Sequence, residues 1–453
     1  MKIEFVAGAA VADITPRDSQ FLYGYPHRER YSTGIHDPLL TSSLYLREGS
    51  CEALILANDI IYVSKALCRR VRRKIAEISG VPESHILISA THTHSGPTTV
   101  DILSNASDPT IPKADPAYLA YLETRMVASA LNAQRKAVPA QLGLAVAHTD
   151  HTRTNRHDPA DPADPEVPVL VVRSIDDGRY VACMLVHCLH PTVLHEDSTL
   201  ITADFPGMVR GYLQERVLGP DCPVLHHIGP AGNQSPRHVV ADNTFASARA
   251  LGEDIGRSIE AVLPTIKYRK RADIAFCHAN LDLIPRRLPS VEAAAAGLEA
   301  ARARFQRLKA ESAAAKEVRT AECDWFGAEE TLALAVAAAA NRLGSVYDEC
   351  QPAEIQVIGI GPWTFVAWPG EIFVEYGLEV RRRHPNTFVI SLANGELQGY
   401  IATEQAVLEG YYEAGNALFD YRNGVLLVNR TDELLGELRA QREATQAPYS
   451  PVR

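Results

Sequence analysis

The segment HILISATHTHSGP, residues 85–97, begins with an apolar run and ends in a glycine-proline turn. Residues 85–88 predict a buried strand, in which side chains two residues apart point to the same side. If strand geometry continues, His92 and His94 project together from the strand end. Two imidazoles placed in this way can share one metal, or one can bind a metal while the other contacts the substrate. For an isolated pair, two solvated histidines at a polar strand end are an equally good interpretation.

Strand-like and helix-like patterns alternate around this segment. Residues 53–57 predict a buried strand, and a helix is expected to begin after Ser64, a good N-cap, and to end at Gly80. The apolar face of this helix is expected to hold Leu67, Val71, Ile75 and Ile78. Further helices are predicted over about 116–136, 205–217 and 243–262, and strands over 141–147, 167–172, 180–187 and 224–228. The alternation indicates an α/β fold of mixed sheets layered with helices.

The composition changes between Pro289 and Gly344, where two helical patterns follow each other. The first begins after Ser290, and the second carries Leu332, Val336, Ala339 and Leu343 at helical spacing. We predict an inserted helical hairpin over 289–344, an α/β catalytic domain formed by 1–288 and 345–441, and a loosely held tail over 442–453. The hairpin is interpreted as a packing element or a contact in a homo-oligomer, in preference to a mobile active-site lid.

Charge and composition exclude several classes of protein. The formal net charge is −10, which argues against a nucleic-acid binder and gives no reason to expect attraction to anionic membranes. No apolar run approaches the roughly 20 residues that span a bilayer. The eight cysteines form no Cys-x-x-Cys pair, and the N-terminus lacks a signal-peptide pattern. We therefore expect a cytoplasmic protein with no nucleic-acid partner and no integral membrane segment.

Five short stretches contain residues that can act in catalysis or bind a metal. Each stretch directly follows a predicted strand, a typical location for the active sites of α/β proteins. Each has an ordinary interpretation by itself, such as a helix start or a turn. Together they offer imidazole, carboxylate and phenolate groups, a set that suits a divalent metal such as zinc. The residues concerned are His92 and His94, His190 with Asp204 downstream, Ser235, Glu371 and Tyr400.

The order of these stretches resembles the catalytic domain of the neutral/alkaline non-lysosomal ceramidase family. The resemblance runs from about Gly8 to Leu418, and its most specific element is the His-Thr-His-Ser-Gly-Pro run. It implies one zinc ion per chain, held by the side chains of His92, His190, Glu371 and Tyr400. It also implies four catalytic residues, His94, Arg156, Ser235 and Tyr412.

The implied roles are distinct. His94 would move a proton between the activated water and the leaving amine, and Arg156 would stabilise developing negative charge. The role of Ser235 is open between a hydrogen bond to the substrate and nucleophilic attack. Attack would need an adjacent base, and no Gly-x-Ser-x-Gly elbow surrounds Ser235, so metal-activated water is the preferred nucleophile.

Two departures from the family bear on the substrate. The family continues into a C-terminal immunoglobulin-like domain, which this chain is expected to lack, and Asn233-Gln234 stand where the family usually has Asp-Val. A soluble amide is therefore at least as good a candidate as ceramide. The leading hypothesis is a zinc-dependent amidohydrolase that cleaves a linear N-acyl amide, either a small molecule or a lipid. The alternatives are a serine-dependent amidase or esterase using Ser235 and a non-catalytic metal-binding relative.

Overall fold

The computed structural model describes residues 5–149, 152 and 154–446. The strands are β1 (Phe5–Asp13), β2 (Gly34–Ile35), β3 (Leu40–Glu48), β4 (Cys51–Asn58), β5 (Ile86–Ala90), β6 (Val138–His148), β7 (Glu166–Ser174), β8 (Tyr180–His187), β9 (Leu200–Ile201), β10 (Val224–Ile228), β11 (Ala275–Leu281), β12 (Ala353–Ile360), β13 (Trp363–Ala367), β14 (Glu371–Ile372), β15 (Thr387–Ile390) and β16 (Tyr400–Ile401). The helices are α1 (Lys65–Ser79), α2 (Pro116–Arg135), α3 (Phe205–Leu213), α4 (Phe245–Val262), α5 (Val291–Ala310), α6 (Ala315–Ala339), α7 (Leu343–Cys350), α8 (Val374–Arg383), α9 (Glu404–Glu409), α10 (Tyr412–Gly415) and α11 (Arg422–Gln446).

Two mixed sheets form the centre of the molecule. The larger has the strand order β10-β8-β7-β6-β1-β3-β4-β5, with β10–β8 and β4–β5 paired in parallel. The smaller has the order β11-β12-β13-β15. Two short parallel pairs, β2–β9 and β14–β16, lie outside these sheets. The α/β class expected from the sequence is confirmed.

The sheets pack face to face and are covered by helices on their outer faces. Alternation along β8 illustrates this arrangement, because Met184 packs in the layer between the two sheets while Leu185 packs against α3 and α4. Helices α1 and α2 cover the other half of the larger sheet, and α6, α8 and α11 cover the smaller one. A four-layer order of helix, sheet, sheet and helix results.

Helix α1 begins and ends where the sequence predicts. The Ser64 side chain accepts from the backbone N–H of Leu67, and Gly80 adopts a left-handed conformation at the C-cap. The predicted apolar face is wrong in one position, because Ile78 is 67% exposed. Arg72 is buried instead, since its guanidinium donates to the Ile86 carbonyl and to the Glu354 carboxylate. A hydrophobic pattern cannot predict a buried arginine whose partners lie on other elements.

The segment predicted as a hairpin contains α5 and α6, which pack against each other through Phe305 and Trp325. The predicted face of the second helix is wrong, since Val336 is exposed and the buried residues include Gly327, Glu330, Leu334 and Ala337. A Cβ atom at Gly327 would lie 2.8 Å from the Tyr412 carbonyl oxygen. The backbones of α6 and α10 therefore come so close together that α6 can pack only through the face that carries small residues. Helix α6 also ends at Ala339 rather than at Gly344, and α7 follows.

The last helix extends into the segment predicted as a C-terminal tail. Helix α11 continues to Gln446, so the first residues of the predicted tail are helical, and residues 447–453 lie outside those described. The division into catalytic domain, hairpin and tail stays a prediction. Within the described ranges, no helix combines the length and apolar character that crossing a bilayer requires. The cellular location also stays a prediction.

Candidate metal centre and reaction cavity

A cavity of about 520 Å³ lies where the loops after several strands meet. Aromatic, imidazole, guanidinium and carboxylate side chains line it. Seven of the eight site residues predicted from the sequence line this cavity, namely His94, Arg156, His190, Ser235, Glu371, Tyr400 and Tyr412. The eighth, His92, is fully buried directly behind them. The loops therefore bring all eight residues together.

His92 reaches the site by a different route from the one the strand pattern predicts. Strand β5 ends at Ala90, and His92 adopts a left-handed backbone conformation with φ of 72°. Strand geometry therefore does not continue to His94. The two imidazoles still meet, with 3.3 Å between their Nε2 atoms. A non-glycine residue in this region is conformationally costly, and such strain is concentrated at functional sites.

Three side chains form a triangle of ligand atoms. The Nε2 atoms of His92 and His190 lie 3.1 Å apart, and Glu371 Oε2 lies 3.1 Å from His190 Nε2 and 3.3 Å from His92 Nε2. Ligand atoms 2.0–2.1 Å from a tetrahedral zinc ion are roughly 3.3 Å from one another. The edges of the triangle therefore match the spacing of metal ligands.

The opposite ring nitrogens favour the tautomer of each histidine that can bind a metal. Each Nδ1 atom faces a backbone carbonyl oxygen, that of Ile61 for His92, Gly24 for His94 and Ala231 for His190, at 2.7–3.1 Å. With its proton on Nδ1, each ring donates to a carbonyl oxygen and turns an unprotonated Nε2 lone pair toward the others. Converging lone pairs repel unless a cation lies between them. The ligand atoms of the three histidines, of which His92 and His190 are buried and His94 is half-buried, lie within 4.8 Å of one another and can hold a metal ion.

A glycine allows His94 to occupy its position. Gly24 has φ of 124°, and a Cβ atom there would lie 2.4 Å from His94 Nδ1. The imidazole therefore packs directly on the Gly24 backbone, next to the ring of Tyr25 at 5.4 Å between centroids. A side chain at position 24 would displace the proposed proton carrier.

The electrostatic environment keeps these groups in the forms that bind a metal. Burial, with a further contribution from Arg156, lowers the pKa of His190 to about 4. Burial and the neighbouring His92 and His190 hold the pKa of His94 well below its ordinary value. Burial opposes ionisation of Glu371, but its interactions with His92 and His190 in their protonated forms outweigh burial and hold the pKa of the carboxyl well below the usual range; when both rings are neutral, a bound cation would take over this role. Neutral imidazoles and an ionised carboxylate are the ligand forms for a divalent cation.

Tyr62 is a site residue that the sequence analysis missed. Its hydroxyl donates to Glu371 Oε1 at 2.6 Å, and burial together with the Glu371 charge raises the pKa of Tyr62 well above its ordinary value. The phenol therefore stays a donor and orients the carboxylate so that Oε2 faces the two histidines. Tyr62 lies in a loop after β4 with no distinctive motif, so only its contact reveals it.

Tyr400 enters the site through sheet register. Strands β14 and β16 pair in parallel, and Glu371 is the register partner of Tyr400. The Tyr400 hydroxyl lies 3.1 Å from that of Tyr412, which accepts a hydrogen bond from Arg156 Nη1. Burial and the Glu371 charge raise the pKa of Tyr400 well above its ordinary value. In the described contacts, this hydroxyl belongs to a phenol–phenol–guanidinium chain beside the triangle.

Arg156 is held by a carboxylate that sequence reasoning also missed. Glu413 is fully buried, and its Oε1 lies 3.4 Å from Arg156 Nε and 3.1 Å from His157 Nε2. Arg156 Nη2 also donates to the Gly232 carbonyl. The guanidinium centre lies 5.7 and 5.6 Å from the ring centroids of Tyr400 and Tyr412. Glu413 neighbours a predicted site residue along the chain, but nothing in the sequence pattern indicates its burial.

Ser235 lines the cavity, and among the described residues its hydroxyl has no hydrogen bond to a histidine or a carboxylate. The Oγ atom accepts from the Arg237 backbone N–H at 3.4 Å. The preceding Asn233 and Gln234 turn away, since Asn233 Nδ2 donates to Glu375 and Gln234 Nε2 to the Pro162 carbonyl. The two residues that depart from the family pattern thus stabilise the loop.

The inserted helices contribute to the wall of the cavity. Helix α6 supplies Arg319, Thr320, Cys323, Asp324, Phe326 and Glu330, and α5 supplies Arg304. The interpretation as a packing or oligomer element is therefore incomplete, because the segment shapes the space available to a substrate. A contact with a second copy of the chain stays a prediction.

Replacing Glu330 with glutamine is expected to change how stability depends on pH. Burial, with further contributions from Glu329 and Glu371, raises the pKa of the Glu330 carboxyl from 4.5 to about 8. Between these values the unfolded chain releases its proton while the folded chain keeps it, so folding becomes less favourable as pH rises. Between pH 5 and 9, the free energy of unfolding of Glu330→Gln should therefore fall by about 2–4 kcal/mol less than that of the wild type.

Urea unfolding at several pH values measures this effect. The exposed Glu299→Gln on α5 provides a matched control that should keep the wild-type pH dependence. An identical pH dependence of stability in wild type and Glu330→Gln would contradict the raised pKa of the Glu330 carboxyl.

Comparison with known proteins agrees with the motif order. Residues 5–223 match the model of the family described as neutral/alkaline non-lysosomal ceramidase, N-terminal. The neutral ceramidase from Pseudomonas aeruginosa has a similar fold, with a TM-score of 0.74 and 17% identity over 100% of this chain and 76% of that one. A structure described as a ceramidase complexed with C2 is also similar, with a TM-score of 0.73 and 16% identity. The match covers 97% of this chain and 76% of that one. No curated protein sequence matches. The resemblance predicted from the motifs is thereby confirmed.

Proposed function

We propose that this chain, which matches the model of the neutral/alkaline non-lysosomal ceramidase family over residues 5–223, is a zinc-dependent amidohydrolase that cleaves a linear N-acyl amide with activated water. The family and the fold support a ceramidase-like hydrolase of amide bonds. The observation that carries the finer proposal is the triangle of His92, His190 and Glu371, with edges of 3.1–3.3 Å.

We assign a different role in the reaction to each group of residues around the triangle. A zinc ion held there would polarise the amide carbonyl and lower the pKa of a water near it. His94 Nε2 lies 3.3 Å from His92 Nε2, has a low pKa and is fixed by Gly24. It is therefore placed to accept the proton of the attacking water and return it to the departing amine nitrogen.

Arg156 and Tyr412 are placed to stabilise negative charge. Both line the cavity, and the guanidinium donates to the Tyr412 hydroxyl, whose pKa is raised chiefly by burial. Because Glu413 anchors the other side of the guanidinium, the donors are already oriented before charge develops on the substrate oxygen. Tyr400, the fourth proposed zinc ligand, joins the same chain of donors through Tyr412.

Metal analysis paired with a substrate series tests this proposal. We expect one zinc per chain, loss of hydrolysis on chelation and recovery when zinc is returned. The substrates are N-acyl amines graded from water-soluble amides to N-acylsphingosine dispersed in detergent. Undiminished hydrolysis by metal-free protein would contradict the proposal. Zinc binding without turnover across amides and esters would instead support a non-catalytic relative.

Replacing Ser235 with alanine separates the metal mechanism from a serine mechanism. If the hydroxyl only hydrogen-bonds the substrate, the loss corresponds to one bond of about 1–3 kcal/mol, or roughly 5–150-fold in kcat/KM. Loss of a serine nucleophile costs about 10⁶-fold. Steady-state kinetics, with zinc content as a control, distinguish the two. Covalent trapping of wild type by a serine-directed reagent would favour the serine mechanism.

A further inference from the structure

The arginines that line the cavity differ in whether a carboxylate lies close enough to neutralise their charge. Arg156 lies beside Glu413, Arg304 pairs with Asp324, and Arg319 lies 2.6 Å from Glu322 and 3.2 Å from Glu196. Within the part of the chain that the structure describes, the remaining cavity arginine, Arg237, forms no ion pair with a carboxylate. Its positive charge is therefore the one that the wall of the cavity leaves uncompensated.

The position of Arg237 is nevertheless well defined. Its Nη2 atom donates to the Lys316 carbonyl at 2.6 Å and to the Thr320 hydroxyl at 3.1 Å, both on α6. It is two residues from Ser235, and both side chains line the cavity. The guanidinium is thus anchored through one nitrogen, while the others stay available as donors in a planar fork.

The surroundings make an uncompensated cation costly. Arg237 is half-buried, and burial together with the nearby Arg319 and Arg156 lowers its pKa. The neighbouring Cys323 does not offset the charge, because burial raises the pKa of its thiol and keeps it neutral. An anion from outside the chain would complete the charge balance, and guanidinium pairs well with planar carboxylate or with phosphate.

We propose that Arg237 is a specificity-determining residue that binds an anionic group, carboxylate or phosphate, carried by the amide substrate. This inference rests on the proposed function and narrows its substrate class to anionic N-acyl amines. Apolar lining from Ile61, Ile111 and Phe326 remains available for the acyl chain. A neutral N-acyl amine would leave the Arg237 charge unpaired and should be a poorer substrate.

Three octanoyl amides test the proposal on zinc-loaded full-length protein. They are N-octanoylglycine, N-octanoylethanolamine and N-octanoyl-O-phosphoethanolamine, which present a carboxylate, a neutral hydroxyl and a phosphate. We expect kcat/KM for one anionic amide to exceed that for the neutral amide by about 10–100-fold, as for a charge-assisted hydrogen bond. The preferred anionic amide identifies the anion.

Variants assign this preference to one side chain. Arg237→Met should lower kcat/KM for the preferred anionic amide about 10–100-fold and change the neutral amide less than threefold. Arg237→Lys should retain much of the preference. Arg304→Met, which removes a cavity arginine already paired with Asp324, should leave the selectivity ratio unchanged. An equal loss on all three amides in Arg237→Met, or a wild-type preference for the neutral amide, would overturn the inference.

A binding measurement keeps this inference distinct from the proposed function. Calorimetric titration compares the Kd of N-octanoylglycine and of N-octanoyl-O-phosphoethanolamine with that of N-octanoylethanolamine, in wild type and Arg237→Met. Tighter anion binding that is lost in the variant supports the anion site even if no amide is cleaved. Equal binding of all three amides overturns it even if the protein is an active amidohydrolase.

Discussion

Replacing His92 with alanine is expected to eliminate stoichiometric zinc and to lower kcat/KM by about 10⁴-fold or more. The side chain is fully buried, and its Nε2 atom lies within 3.1–3.3 Å of the ligand atoms of His190 and Glu371. Removing it leaves an open triangle in which a divalent ion loses one imidazole. His190→Ala should have the same effect, because it removes another of the three proposed ligands in the triangle.

The measurements are zinc per chain by elemental analysis and kcat/KM on a hydrolysable amide. His195→Ala is the matched control, since His195 lines the same cavity but its Nδ1 faces Asn243, 3.0 Å away. That variant should keep its zinc. Circular dichroism of each variant separates loss of metal from loss of fold. A folded His92→Ala protein with full zinc and wild-type turnover would contradict the assignment.

Replacing His94 with glutamine is expected to lower kcat by about 10²–10⁴-fold while zinc stays bound. Glutamine retains polar atoms near Gly24 but cannot exchange a proton near neutral pH. The readout must include both zinc content and kcat, because His94 lies close enough to the other histidines to be a ligand itself.

The outcomes of this substitution separate two roles. Retained zinc with reduced kcat supports His94 as the proton carrier. Loss of zinc would instead make His94 a ligand, so that three histidines hold the metal. Retained zinc with unchanged kcat would contradict both roles. Tyr25→Phe is a suitable control, because it keeps the ring that packs on His94 and removes only a hydroxyl that bonds the Leu194 carbonyl.

Much of the local structure could be predicted because it depends on neighbouring residues. Ser64 and Gly80 delimit α1 through an N-cap and a left-handed C-cap, which short-range chemistry decides. Strands β8 and β10 were predicted with their bounds because each is a short apolar run between turn signals. The predicted face of α6 was wrong because Tyr412, distant along the chain, selects the side that carries Gly327.

The sequence by itself determined which residue types are available at the site and in what order they occur. The motif around His92 and His94, followed by His190, Ser235, Glu371 and Tyr400, predicted a metal-dependent hydrolase and a resemblance to the ceramidase family, whose model matches residues 5–223. These signals are local, because each motif lies in one turn or at one strand end.

Only the tertiary structure decided how these residues meet. His92 and His190 are 98 residues apart, and His190 and Glu371 are 181 apart, so their 3.1 Å contacts depend on strand order and loop paths. The left-handed turn at His92, the orienting phenol of Tyr62 and the buried Glu413 became evident only in the fold. The same holds for the unbalanced charge of Arg237. Burial and charge balance are properties of the surroundings in space, which spacing along the chain does not contain.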